Sequence, residues 1–527
     1  MEQTNIQLTE NQIEGLANKK GITLLLGSLA LGLLFNLLFY KKSLGLSYPL
    51  YITALYIFLF WSIKKKPKLT LDFTGLLGIS IIALSFTYFF FSNPFFHVFN
   101  FLLIPILVVA HTLLLTSNNQ FKWFEAPFFL DMLNGIFVRP LENCLKPFSL
   151  ISSTIKRKTD LGKSTVMVKV LIGLILTIPL LIIIVPLLAS ADDVFRYFIN
   201  QIPNLFQDIN LGQFVPQFLI VTIVTCLVFS YLWSLFYSKP KTGKGISNLE
   251  LLSPGKFLDP ITVTTLLIVI DALYIFFIAI QFSYLFGSLT DGLPRNFTFA
   301  QYARKGFFEL VAVTLINLAL LIGNMYFVKT SGKKLDRVVK ILNTVLVMST
   351  FIMLLSAHFR MSLYEDAYGF TYLRVLTHAF MGYLFVLFMV SFIKIWRHSI
   401  PLFKSFVVIS IVAYTLLNYI NVDRIIVKEN IARYTEGKTI DIQYLTTLSY
   451  DAIPPLVEFV NTTHDMSLIT PFNNGLNSKK AVLDSKTSWQ SFNLSKYRAQ
   501  KSLKENKNPV PLIIFPGERT MNLLTPR

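Results

Sequence analysis

The chain has 527 residues, 53% of them hydrophobic and only 15% charged, with a formal net charge of +19. Soluble domains carry about 25% charged residues, so this composition excludes an ordinary soluble fold. It also makes nucleic-acid binding a poor account of the charge, because the lysines and arginines stand mostly in short stretches between apolar runs.

A bilayer core roughly 30 Å thick is crossed by ~20 apolar residues in a helix. About eleven such runs follow one another, at 21–40, 44–63, 72–91, 97–116, 168–189, 214–237, 261–286, 307–328, 339–358, 372–394 and 402–420. The expected fold is all-α: a polytopic membrane bundle ending in a small helical extramembrane segment. The polar segment 1–20 runs straight into the first span, which reads as an uncleaved signal anchor. A four-span region covers 21–117 and a seven-span core covers 168–420. With the N-terminus placed in the cytoplasm, the inner loops hold 24 Lys and Arg and the outer loops 8. That excess predicts a cytoplasmic N-terminus and, for an odd number of spans, a C-terminal segment on the opposite side.

The inner loop 118–167 contains FKWFEAPFFLDMLNGIF (121–137), which mixes aromatics with Lys122, Glu125 and Asp131. It reads as an interfacial helix on the inner leaflet, with membrane lipid as its partner. A re-entrant or packing segment fits the pattern equally. In ASADDVFRYF (189–198), Ser190 is expected to cap a short helix with Asp192 and Asp193 in its first turn.

Polar residues at membrane depth are costly and tend to face a bundle interior. Asp271 sits mid-span, with Gln281 on the same face. In the next span, Asn317 and Asn324 are seven apart and share a face, and Glu309 stands at its outer end. Hydrogen bonding between helices suffices for the asparagines. Asp271 is divided between an ion-coupling role and a buried ion pair.

The segment RMSLYEDAYGFTYLR (360–374) is the richest in chemistry and falls in an outer loop. Arg360 and Tyr364 share a helical face. Gly369 suits a helix stop, and Thr371 suits the N-cap of the next span. Arg374 lies on that helix's first turn, with His378 one turn deeper. Arg304, Arg360 and Arg374 form a candidate anion-binding cluster, with Glu309, Glu365 and Asp366 as ion-pair partners or acid–base groups. A salt-bridge lattice is the competing reading.

Beyond 420, the spacing of Ile426, Ile431, Ile442, Leu445, Leu448, Ile453, Leu456 and Val457 predicts a helical cap over 421–463. Residues 464–527 turn polar and read as a partly flexible tail with one amphipathic helix near 487–504. Cys144 and Cys226 suggest no disulfide, and the six histidines form no HExxH or HxxxH, so neither a metal nor another cofactor is expected. GxxxxGK[ST] and GxSxG motifs are absent as well.

ASADDVF (189–195), YARKGFFEL (302–310), RMSLYEDAYGFTYLR (360–374), NVDRIIVKENIARY (421–434) and DIQYLTTLSYDAIPPL (441–456) occur in that order. Together they resemble the bacterial "domain of unknown function" 4173 family and its 4153 relatives, over roughly 165–460. The resemblance implies a multi-pass protein of the bacterial inner membrane. It marks Arg304, Glu309, Arg360, Tyr364, Tyr368, Gly369, Thr371, Arg374, Asn430 and Asp451 as family-type positions. Where the family has Asn-Pro-Asp, this chain has Asn421-Val422-Asp423, which puts the turn there in question. No activity comes with the resemblance.

Three functions follow as expectations. The first is an extracytoplasmic sensor or envelope scaffold that binds an anionic ligand or another envelope protein through Arg304, Glu309, Arg360, Tyr364, Glu365, Tyr368, Thr371 and Arg374. The second is a transporter using Asp271, with Gln281 and Asn317 along the path and Asn324 on the same seam. The third is a membrane enzyme acting on a lipid-linked phosphate, with Glu309 or Glu365 as general base.

Overall fold

The structure is a computed structural model. It describes residues 2–63, 72–125, 127–151, 211–237, 256–287, 307–329, 332–397, 399–463, 465–485 and 487–506, and scattered residues between 173 and 198. Arg304 lies outside the described residues, as do most of the expected span 168–189 and the end of the tail. The fold is all-α, and among the described residues no strand forms beyond an isolated bridge between Leu258 and Val328.

The helices in chain order are α1 Glu2–Phe39, α2 Ser47–Ser62, α3 Phe73–Phe90, α4 Pro94–Leu115, α5 Phe128–Leu133 and α6 Arg139–Glu142. Then come α7 Leu211–Tyr237, α8 Pro260–Gly287, α9 Phe307–Phe327, α10 Lys333–Tyr368, α11 Tyr372–Trp396 and α12 Leu402–Tyr419. Five more follow: α13 Val422–Thr435, α14 Ile442–Thr447, α15 Ile453–Thr462, α16 Met466–Asp484 and α17 Leu494–Lys504. Among the described residues, nine helices are long and apolar enough to cross a membrane: parts or all of α1, α3, α4 and α7–α12. Helix α2 has 16 residues, about 24 Å at 1.5 Å per residue, which is shorter than the span expected there.

The chain divides into two compact units. The first comprises Met1–Phe89, Val98–Glu250 and Ser488–Phe492. In it α1 packs along α7, where a Cβ on Gly32 would run into the Thr225 side chain. Only a small residue permits that approach. Tyr56 and His111 hydrogen-bond inside the unit at 2.8 Å. The segment 118–142 is held by the buried Asp131, which accepts from the Gln120 and Phe121 amides at 2.8 and 2.9 Å. The buried Arg139 donates to the Asn118 carbonyl at 2.9 Å. Phe129, Leu130, Phe137 and Leu141 are exposed. Near 190 the helix cap differs from expectation. Asp192, rather than Ser190, accepts from the Val194 and Phe195 amides at 2.7 and 3.1 Å. Its shorter reach to the amides two and three residues on suits that role.

The second unit comprises Phe90–His97, Leu251–Thr487 and Asn493–Arg527. Helix α10 packs against α8, α9 and α11. Its 36 residues extend about 54 Å, well beyond the expected 339–358. Residues 360–368 are therefore the last turns of a helix, and only 369–371 form the connection to α11.

Helices α13–α17 build a separate core. Ile426, Val427, Ile442, Leu445, Ile453, Leu456 and Val457 are buried together, each removal from water contributing roughly 1.5–3 kcal/mol. Phe472 and Leu476 of α16 complete that core. Residues 466–484 are thus helical and docked where the polar composition suggested flexible chain.

Candidate functional site

The connection between α10 and α11 is set by Gly369, whose φ of +82° and ψ of 172° belong to a region essentially closed to residues with a Cβ. A Cβ there would also collide with Asn430 Oδ1 and Arg433 Nη1. Asn430 of α13 clamps the connection. Its Oδ1 accepts from the Phe370 amide at 3.0 Å, and its Nδ2 donates to the Phe370 and Ile426 carbonyls at 2.9 and 2.8 Å. The buried Arg433 donates through Nε and Nη2 to the Asp366 carbonyl at 3.1 and 2.7 Å. Lys438 pairs with the Asp366 carboxylate. The 360–374 and 421–434 motifs therefore meet side chain to backbone.

Thr371 occupies the N-cap position of α11 with extended backbone, but its side chain makes no capping bond. The Tyr372 amide, one of the donors a helix start leaves open, is met by the Tyr444 hydroxyl at 2.9 Å. The cap thus comes from α14 across 72 residues.

A pocket of about 440 Å³ opens beside this connection. Glu365, Asp366, Glu429 and Glu436 line it with His358, His378 and Arg433. Glu365 is only 4% exposed. Its Oε2 accepts from His378 Nε2 at 2.8 Å, and His378 Nδ1 lies 2.8 Å from His358 Nδ1. With Glu365 ionised, His378 carries a proton on Nε2. A neutral His378 then accepts at Nδ1 from His358, and a cationic one donates to it. The three side chains form a continuous hydrogen-bonded chain. Glu365 Oε1 is buried and has no hydrogen-bond partner among the described residues. Among the described residues no group of three or more His, Cys, Asp or Glu is arranged to hold a metal ion.

The remaining candidates separate. The Arg374 guanidinium lies 4.1 Å from the Tyr364 ring centroid and donates to the Gly369 carbonyl, so it braces the connection. Tyr364 also packs on Tyr368, whose side chain is exposed. Arg360 is half-buried, and Glu309 is exposed on the first turn of α9. Among the described residues, neither Arg360 nor Glu309 lines the pocket that holds Glu365.

The intramembrane residues form a ladder and two open groups. Asn317 Nδ2 donates to Thr350 at 2.9 Å, and Asn324 Nδ2 donates to Asn343 at 3.1 Å. These rungs tie antiparallel α9 and α10 at a seven-residue spacing. Tyr274 of α8 joins by donating to Asn317 at 2.7 Å. Asp271 is 3% exposed, and among the described residues neither of its carboxylate oxygens has a partner. Gln281 is buried in the same condition.

A second polar network fixes the turn 91–93 between α3 and α4. Asp423 accepts from Asn93 Nδ2 at 2.6 Å and from the Ser449 amide at 3.2 Å. Asp451 accepts from the Ser92 amide and hydroxyl at 2.8 Å each, from Ser449 at 3.1 Å and from Asn421 at 3.2 Å. Burial raises the Asp423 carboxyl above the usual aspartate range, against the pull of its Asn93 and Ser449 bonds. Asn421 also caps α13 by accepting from the Arg424 amide at 3.0 Å. The Val422 variation therefore leaves the capped turn intact. Val422 sits at the first helical position, where proline is equally at home.

His358, Arg433 and the serines of this network are the functional-looking residues that sequence reasoning missed. His358 and Glu365 are seven apart on one helix face, a spacing that was open to reading once 360–368 is helical.

These features define an all-α, multi-pass membrane protein carrying a layer of five shorter helices. A family model, Domain of unknown function (DUF4153), matches residues 78–459. The chain belongs to that family, and the match takes in all five of the motifs that carried the resemblance. No curated protein and no solved structure matches the chain significantly.

Proposed function

We propose that this protein is a membrane-anchored sensor whose input site is the pocket around Glu365, and whose ligand is a small cationic amine. The observation that carries the reading is the buried Glu365 Oε1, without a hydrogen-bond partner among the described residues, on a side chain that lines a cavity rimmed by Asp366, Glu429 and Glu436. A buried acceptor without a donor costs about 1–3 kcal/mol, and an ammonium group supplies both the missing donor and the opposite charge. Arg433 is engaged with the Asp366 carbonyl, and Lys438 pairs with both the Asp366 and the Glu436 carboxylates, which leaves Glu429 as the rim carboxylate that a ligand meets together with Glu365. This reading inverts the anionic ligand expected from the three arginines, because Arg374 is committed to Tyr364 and Gly369.

Occupation of the pocket is coupled to α13, because Asn430 and Arg433 hold the connection on which Glu365 and His378 are placed. The positive-inside count supports an extracytoplasmic location for α13–α17 in the bacterial inner membrane. The test is hydrogen exchange of the full-length protein in lipid nanodiscs with spermidine as probe. Slower exchange over 365–378 and 426–436 is expected, and unchanged exchange there contradicts the proposal. A reporter fused at Thr435 that reads cytoplasmic contradicts the assigned side.

A second reading, ion-coupled transport, is favoured by Asp271 alone, whose two oxygens are buried without partners at mid-span. Cysteine accessibility at neighbouring positions from both faces of the membrane supports it. Labelling from one face only removes it.

A further inference from the structure

A cavity of about 760 Å³ lies against the first turn of α13, between α15 and α17. Arg424, Arg498 and Lys501 line it, and all three side chains are exposed. Among the described residues, none of the three makes an ion pair within 4 Å, although Glu458 and Glu505 line the same cavity. Asp451, at the floor, is taken up by its four hydrogen bonds from Ser92, Ser449 and Asn421. The cavity also meets the N-terminal turn of a 14-residue helix, whose dipole adds partial positive charge there. Pro454 and Pro455 supply an apolar wall.

We propose that this cavity is a binding site for a phosphate-bearing anion, held by Arg424, Arg498 and Lys501 with its apolar portion against Pro454 and Pro455. Guanidinium groups bond phosphate oxygens in pairs, and lysine adds a point charge. The site is distinct from the Glu365 pocket in place and in charge preference, so each stands or falls separately. The same chemistry is offered by a phospholipid head group and by a soluble phosphate ester.

The experiment uses the full chain in two arms. One measures binding of phosphatidylglycerol by native mass spectrometry. The other measures binding of glycerol phosphate by calorimetry in detergent free of anionic lipid. Saturable binding in the first arm alone assigns a head group, and binding in the second assigns the soluble ester. In either case the triple substitution Arg424→Ala, Arg498→Ala, Lys501→Ala is expected to weaken affinity at least tenfold. Lys480→Ala, outside the cavity, is expected to leave it unchanged. Absence of saturable binding in both arms, or equal affinity in the triple variant, overturns the proposal. If the triple variant melts early, the salt dependence of binding to the unmodified chain decides. Weakening with ionic strength upholds the site, and salt-independent binding overturns it.

Discussion

Asp451 and Glu365 are both acidic residues within motifs of the family, and both hold elements of the same unit together. Their surroundings differ in one respect. Asp451 meets four donors from Ser92, Ser449 and Asn421, whereas Glu365 meets one imidazole and keeps its other oxygen buried without a partner among the described residues, on a side chain that lines a cavity. A carboxylate whose acceptor capacity is filled by its own chain acts as a structural tie. One left half-filled while 4% exposed retains capacity for something brought from outside. The same distinction separates Asn317, bonded on both sides, from Asp271, bonded on neither.

The comparison can be broken by substitution. The largest loss is expected at the shared support of the pocket: Gly369→Ala should cost about 3 kcal/mol from backbone strain alone, with a further loss from its collision with Asn430. It is read as a fall in melting temperature in detergent. Asp451→Ala should cost about 2 kcal/mol, since the Ser92 amide loses its acceptor. A change below about 0.5 kcal/mol would deny it the role of tie.

A smaller effect is pH-dependent. Lys479 donates to the Thr446 carbonyl at 2.5 Å and to the Leu448 carbonyl, and burial brings its amine down to about 8 from 10.5. Between these values the unfolded chain holds a proton that the folded chain has released, so stability rises with pH through that window. Melting temperatures from pH 7.5 to 10 should show this contribution in the unmodified protein and lack it in Lys479→Met. The smallest stability effect is expected for Glu365→Gln, about 1 kcal/mol or less in either direction. That isostere keeps an acceptor for His378 at the same place.

Much of the architecture was legible from sequence because a bilayer imposes a length and a hydropathy that composition reveals directly. The ladder positions Asn317 and Asn324 were legible through their seven-residue spacing. The core of α13–α15 showed itself in the positions of Ile426, Leu445 and Leu456. Helix α16 did not, because Asn, Ser and Lys are interspersed among its apolar residues, of which Phe472 and Leu476 make the deepest contact. The Asn93–Asp423 and Ser92–Asp451 bonds join residues 330 and 359 apart, a separation no local pattern reports. Glu365 was identified among several charged residues, but its distinction from Asp366 and Glu309 rests on burial and on His358, which follow only from the length of α10.

The most direct test is calorimetric titration of spermidine into the full-length protein and into Glu365→Gln at one pH and ionic strength. The account predicts saturable binding to the unmodified protein and at least a tenfold loss in the variant, with little change in melting temperature. Equal affinity in both proteins, or no binding to either, would contradict it.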